Sequence, residues 1–104
     1  MIFIESEAFE QLRQRYLDDD QYALLQAALM ANPDAGDLTP GAGGVRKVRW
    51  AVDGKGKRGG LRVIYYWVTQ RGHILLITLY RKSEVTDLTP KERKALGAFV
   101  KTLK

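Results

Sequence analysis

The chain has 104 residues, 45% of them hydrophobic and 28% charged, with 17 Lys and Arg against 12 Asp and Glu. That length supports one domain, residues 1–104, with a single core. The lack of cysteine excludes a disulfide framework or a thiolate metal site, and one histidine excludes a paired-imidazole mechanism.

No apolar run reaches the ~20 residues that span a bilayer. Glu5 and Glu7 stand where a signal peptide carries its positive region. The expectation is a soluble, cytoplasmic protein with no membrane contact, no metal and no cofactor. The net charge of +5 is unevenly placed: residues 1–44 carry two basic and eight acidic groups, residues 45–82 ten and one, and residues 83–104 five and three. A basic segment suits a polyanionic partner, most commonly nucleic acid. A face kept soluble by charge accounts equally well for the count alone.

In chain order, Met1–Ile4 reads as a short strand. Ser6 is placed to cap a helix whose apolar stripe is Phe9, Leu12 and Tyr16. Asp18-Asp19-Asp20 breaks that helix and starts a second one, where carboxylates suit the positive end of the helix dipole. Its stripe is Tyr22, Leu25 and Leu29, widened by Leu24 and Ala28. Asn32-Pro33 stops it, because the residue before proline avoids the helical region. Residues 34–44 read as a flexible connector of small, turn-prone residues, with Leu38 as an anchor. This Gly-rich stretch has no phosphate-loop pattern.

Three runs rich in β-branched and aromatic residues follow: Val45–Val52, Leu61–Thr69 and His73–Tyr80. Gly-containing breaks separate them, which predicts a three-stranded antiparallel meander. Thr89-Pro90-Lys91-Glu92 is a capping box with proline at the first helical position. The helix it opens carries Leu96, Phe99, Val100 and Leu103 on its apolar face and runs to Lys104, with Gly97 marking a close approach to the sheet. The expected fold is α+β, in the order strand–helix–helix–three strands–helix. The first two helices back one sheet face and leave a basic face open.

Strand alternation sorts the meander's side chains. Lys47 and Arg49 share one face of the first strand, while Arg46, Val48 and Trp50 share the other. In the second strand Arg62, Ile64 and Tyr66 lie opposite Val63, Tyr65 and Trp67. In the third, Leu76, Thr78 and Tyr80 share a face that Lys82 continues. Arg62 is flanked by apolar residues inside a strand, where an unpaired guanidinium is costly to bury. It needs a carboxylate within the fold or a phosphate outside it. The scarcity of acids in the meander favours the phosphate, with Glu84 and Asp87 as the competing internal partners.

Such a set can cleave RNA without metal, because the 2′-hydroxyl is an internal nucleophile. Cations stabilise the phosphorane and assist proton transfer, and an aromatic ring can hold a splayed base. The plainer reading makes Tyr65, Tyr66 and Trp67 sheet packing, His73 an ordinary exposed residue, and Lys55, Lys57 and Arg58 a solvated or phosphate-contacting hairpin.

The segments GGVRKVRWAVDGKGKRGGLRVIYYWV and ILLITLYRKSEVTDLTPKERKAL resemble the HigB-type branch of the RelE/ParE toxin superfamily. The likeness covers roughly the C-terminal two thirds of the chain. It implies a small RelE-like α+β domain acting as a ribosome-dependent endoribonuclease on translated mRNA. A cognate antitoxin would silence it, and this chain alone would not bind DNA sequence-specifically. Position by position, it matches at Lys47, Arg49, Arg62, Tyr80 and Lys82, which implies a catalytic set of Lys47, Arg62, Tyr80 and Lys82 with Arg49 on the RNA. Lys55, Lys57 and Arg58 of the basic hairpin are the further candidate RNA contacts. RelE-type members often carry a tyrosine shortly after a Ser-Glu-Val segment. Here Ser83-Glu84-Val85 is followed by Thr86, and Tyr80 is the best substitute. Two other classes compete: a ParE-like inhibitor of a protein target such as DNA gyrase, and a plain nucleic-acid-binding module. A pure binder need not concentrate cations on one sheet face. A plain module would need an aromatic RNA-binding signature or a helix–turn–helix, and the chain has neither.

Overall fold

The computed structural model describes residues 1–51, 60–84 and 88–103. The elements run β1 (Ile2–Glu5), α1 (Glu7–Tyr16), α2 (Asp19–Ala31), β2 (Asp37–Leu38), β3 (Arg46–Trp50), β4 (Leu61–Val68), β5 (His73–Arg81) and α3 (Pro90–Lys101). The strands form one sheet in the order β1-β5-β4-β3-β2, with β1 parallel to β5 and the other pairs antiparallel.

Local chemistry fixes the three helix starts, and the end of α2, where the sequence put them. The Ser6 hydroxyl accepts from the Phe9 N–H at 3.0 Å. Asp18 and Gln21 close a capping box on α2, as Thr89 and Glu92 do on α3, and Asn32 caps α2 at its other end. Each satisfies amides or carbonyls that a helix terminus leaves open.

The first core cluster lies on one sheet face. Phe9, Leu17, Leu25 and Leu29 pack there on Leu61, Val63, Tyr65, Ile74, Leu76 and Leu79. Tyr65 crosses this layer and ties down the α2–β2 connection: its hydroxyl donates to Pro33 O at 2.8 Å and accepts from Gly36 N at 3.0 Å. Burial pushes the Tyr65 phenol up from its ordinary pKa.

Several expectations need correction. The connector after α2 is not simply flexible: Asp37 and Leu38 pair with Lys47 and Arg46 as a fifth, edge strand. Leu38 is no anchor, being 60% exposed, and Ala42 and Val45 enter the core instead. Leu24 does not widen the α2 stripe, since it too points to solvent. On β5 a bulge opposite Ile64 and Tyr65 inserts Ile77, so Ile64 pairs with Thr78 but Tyr65 with Leu76. Leu76 therefore joins the helix-facing core, while Thr78 and Tyr80 keep the other face. The spare carbonyl of Ile77 accepts from the Ser6 hydroxyl at 2.5 Å.

The basic face is also not fully open. α3 packs across part of it, where Val100 and Leu96 join Ala42, Val45, Ile64, Ile77 and Tyr80 in a second cluster. The helix ends at Lys101, three residues short of the expected end. Gly97 does mark a close approach, but to the loop after β2: a Cβ there would lie 3.2 Å from Gly41 O.

Candidate active site

Register builds a row of side chains across three strands. Arg49 on β3 pairs with Arg62 on β4, and Arg62 pairs with Tyr80 on β5. The next row along is Lys47, Ile64 and Thr78. Lys82 follows just past the end of β5, its N–H donating to Gly60 O at 3.2 Å. The sequence-predicted cations thus converge on one face, because an even spacing along each strand keeps them in phase.

They line a cleft of about 210 Å³ whose floor is Lys47, Arg49, Arg62 and Lys82. One wall is Asp37 and Leu38 of β2 with Thr39 and Pro40 after it, and the other is Arg93 of α3. Arg62 is 8% exposed, and among the described residues it makes no ion pair. Its described hydrogen bond is a long one, 3.4 Å from Nη1 to its neighbour's carbonyl, Leu61 O. Glu84, a competing partner, is engaged elsewhere: it pairs with Arg81 at 3.4 Å and accepts from the Tyr16 hydroxyl. Asp87, the other, lies outside the described residues. Arg62 also faces Arg49 directly across the ladder, and like charges opposite one another are unfavourable. A buried guanidinium beside a second one, with no carboxylate paired to it here, is a site poised for an anion.

Tyr80 occupies the right row but not the cleft lining. Its ring is 8% exposed and packs with Ala42, Val45, Ile64, Leu88 and Val100. Lys55, Lys57 and Arg58 lie outside the described residues. Arg46 has a local role, donating to Gly36 O at 2.8 Å. Tyr65 and Trp67 pack in or against the helix-facing core, and Tyr66 against the second cluster, in line with their plainer reading. His73 opens β5 and is half-buried.

Sequence reasoning missed Asp37, Thr39 and Arg93. The first two came from a stretch read as a connector. For Arg93 a signal existed. It precedes Leu96, Gly97 and Val100 by three, four and seven residues, so it extends the inward stripe of α3 rather than its solvated side.

Among the described residues no cluster of His, Cys, Asp and Glu could hold a metal ion, and no helix is long and apolar enough to cross a membrane. Fold and site together define a small α+β domain with an anion-ready cleft between sheet and C-terminal helix. Comparison with known proteins narrows the class. A family model for the RelE toxin of RelE/RelB toxin–antitoxin systems matches residues 2–104, so the chain belongs to the RelE toxin family.

Solved structures show the same fold at low identity. A chain of the intact Escherichia coli RelBE toxin–antitoxin complex is 16% identical, with a TM-score of 0.54, over 75% of this chain and 92% of that one. A double mutant of E. coli toxin RelE in the free state is 12% identical, with a TM-score of 0.57, over 82% and 86%.

Proposed function

We propose that this toxin belongs to the HigB-type branch and is a ribosome-dependent, metal-independent endoribonuclease that cleaves translated mRNA in the cytoplasm. A cognate antitoxin protein holds it inactive. The segments GGVRKVRWAVDGKGKRGGLRVIYYWV and ILLITLYRKSEVTDLTPKERKAL support the branch, the family assignment supports a toxin of the RelE kind, and the antitoxin of the similar RelBE complex supports a partner of that kind. The observation that carries the activity is Arg62: a nearly buried guanidinium facing Arg49, lining a cleft with Lys47 and Lys82.

In this reading the scissile phosphate sits on Arg62, whose planar fork bonds two non-bridging oxygens. The 2′-oxygen loses its proton to a base and attacks phosphorus. Lys47 and Arg49 stabilise the added negative charge of the phosphorane. The bond to the 5′-oxygen then breaks, and that oxygen takes a proton, leaving a 2′,3′-cyclic phosphate and a 5′-hydroxyl. Of the two candidates for that proton, Lys82 lines the cleft whereas Tyr80 is packed behind it, which favours Lys82.

The decisive experiment maps cuts in a defined mRNA with and without translating ribosomes. Cuts are expected only during translation. Intact mRNA in both reactions, with DNA gyrase inhibited instead, would overturn the reading. Expression alone should arrest growth, and co-expression of the adjacent open reading frame should relieve it. Harmless accumulation of folded protein is the contrary result.

A further inference from the structure

The first strand stands at the sheet edge opposite β2 and the cleft. Its inner side pairs with β5: the Ile2 N–H donates to Gly72 O at 3.1 Å and the Ser6 N–H to Leu76 O at 2.9 Å. Alternation along the strand then turns Ile4 the same way, and the backbone N–H and C=O of Phe3 and Glu5 outward. Among the described residues no strand pairs with that outer side. Native sheets blunt such edges with lysine, proline or a bulge. The strand Ile2–Glu5 has none of these, and its one charge, Glu5, is held by the Tyr22 hydroxyl.

The side chains of β1 divide by face. Phe3 packs against the helix-facing core. Ile2 and Ile4 turn to the α3 side and stay 58% and 43% exposed. There Ile4 lines an apolar groove of about 360 Å³ with Val68, Leu75, Phe99 and Leu103, and Phe99 is itself exposed. An apolar patch beside open backbone groups marks a contact with another chain.

This edge is complementary to itself. In a two-fold pair, whatever residue i meets must meet i in return. An antiparallel pairing centred on Phe3 sets Phe3 of one copy against Phe3 of the other, and Ile2 against Ile4 in both directions. Phe3 turns its N–H and C=O outward, so the copies exchange both bonds at that point, as a hydrogen-bonded antiparallel pair does. Centring the pair on Ile4 would instead set Ile2 against Ser6 and Phe3 against Glu5.

We propose that β1 is a self-association edge, through which two copies join antiparallel about Phe3 into one continuous sheet. Ile2 and Ile4 of each copy cover those of the other beside the Phe99 groove. The cleft draws its floor from β3, β4 and the residue past β5, so both clefts stay open in the pair. Neither the association nor its test depends on the ribonuclease reading.

The test is sedimentation equilibrium of the purified chain from roughly 1 to roughly 300 μM, which brackets the micromolar dissociation constant of a small interface. The mass should rise from 11.8 kDa toward twice that value. Over the same range hydrogen exchange at the Phe3 amide should slow several-fold, while the amides of β3 keep their rates. Ile2→Lys with Ile4→Lys sets like charges opposite one another and should weaken association more than about a hundredfold. Ile2→Lys with Ile4→Glu sets opposite charges in the same register and should recover part of that loss. Both side chains are exposed, so Tm and any cleavage activity per chain should match the parent.

A chain that keeps the monomer mass at the highest concentration refutes the proposal. A dimer that forms without slower exchange at Phe3, or that survives Ile2→Lys with Ile4→Lys, also refutes it by placing the contact elsewhere. If Ile2→Lys with Ile4→Glu associates no better than the doubly basic change, the pairing about Phe3 is refuted.

Discussion

Arg62 shows how a single residue type at one position limits what a fold can be for. It sits in a row with Arg49 on one side and Tyr80 on the other, 8% exposed, while Glu84 is engaged by Arg81 and Tyr16. If it were structural, removing it would leave a buried partner unpaired. If it waits for a phosphate, removing it relieves repulsion. Arg62→Ala should therefore keep or raise the Tm while cutting mRNA cleavage about a hundred- to thousandfold, the usual cost of one transition-state donor. Arg62→Lys should recover only part, since an ammonium cannot reproduce the planar fork. Unchanged cleavage by folded Arg62→Ala protein would remove Arg62 from the mechanism. Tyr65 is the opposite case, buried for structure alone. Its phenol pKa is raised by burial, so the folded state favours the neutral form. The stability this contributes is complete below the unfolded value of about 10 and is lost as pH rises through the higher folded value. Thermal stability should fall in alkali, and less steeply in Tyr65→Phe. That variant should also lose ~1–3 kcal/mol at neutral pH, because Pro33 O and Gly36 N lose their partner. Equal alkaline slopes for parent and variant would count against this account.

At the scale of elements, the legible parts were those written in local chemistry. Ser6, Asp18 and Thr89 announced their helices because a cap is a contact between residues three apart. The strands showed in their β-branched and aromatic runs. What stayed hidden depended on distant partners. Nothing near Ile77 announces a bulge, whose spare carbonyl is met by Ser6 from the other end of the chain. The pair Asp37–Leu38 is too short to show an alternating pattern and becomes a strand only because β3 offers an open edge. The same edge explains a glycine that looked like mere punctuation. A Cβ on Gly36 would lie 2.9 Å from both the carbonyl carbon and oxygen of Lys47, and 3.1 Å from the Tyr65 ring. Backbone cannot yield as a side chain can, so Gly36→Ala should cost about 1–3 kcal/mol, the usual range for overpacking. Because the displaced group is the backbone of Lys47, cleavage should fall along with Tm. A Gly36→Ala protein as stable as the parent would mean that β2 is not seated on β3 in solution.

For the whole molecule, the uneven charge along the chain becomes an uneven charge through its layers. The acid-rich first 44 residues supply the two helices on one sheet face. Lys47, Arg49, Arg62 and Lys82 of the meander turn toward the other, whereas Arg81 lies over the Tyr16 ring of α1. Opposite signs on opposite faces explain how a modest net charge of +5 can still present a concentrated cationic cleft. The arrangement was half legible: the segments gave the sign, and strand alternation gave the face. The contribution of α3 needed the packing of Gly97 against the loop after β2. It raises the cleft's described cations to five: Lys47, Arg49, Arg62, Lys82 and Arg93. Each one that meets a phosphate releases condensed counterions, so affinity for single-stranded RNA should fall with salt by roughly 0.7 log units per contact per decade. If all five engage, the log–log slope of affinity against salt should lie near about −3.5 for an uncleavable oligonucleotide. Arg93→Gln should flatten it by roughly 0.7, and Arg46→Gln should leave it unchanged, because Arg46 donates to Gly36 O rather than lining the cleft. A slope near zero in the parent would show that the cleft does not take a polyanion. Equal flattening by Arg93→Gln and Arg46→Gln would show that general charge, not this cleft, binds the strand.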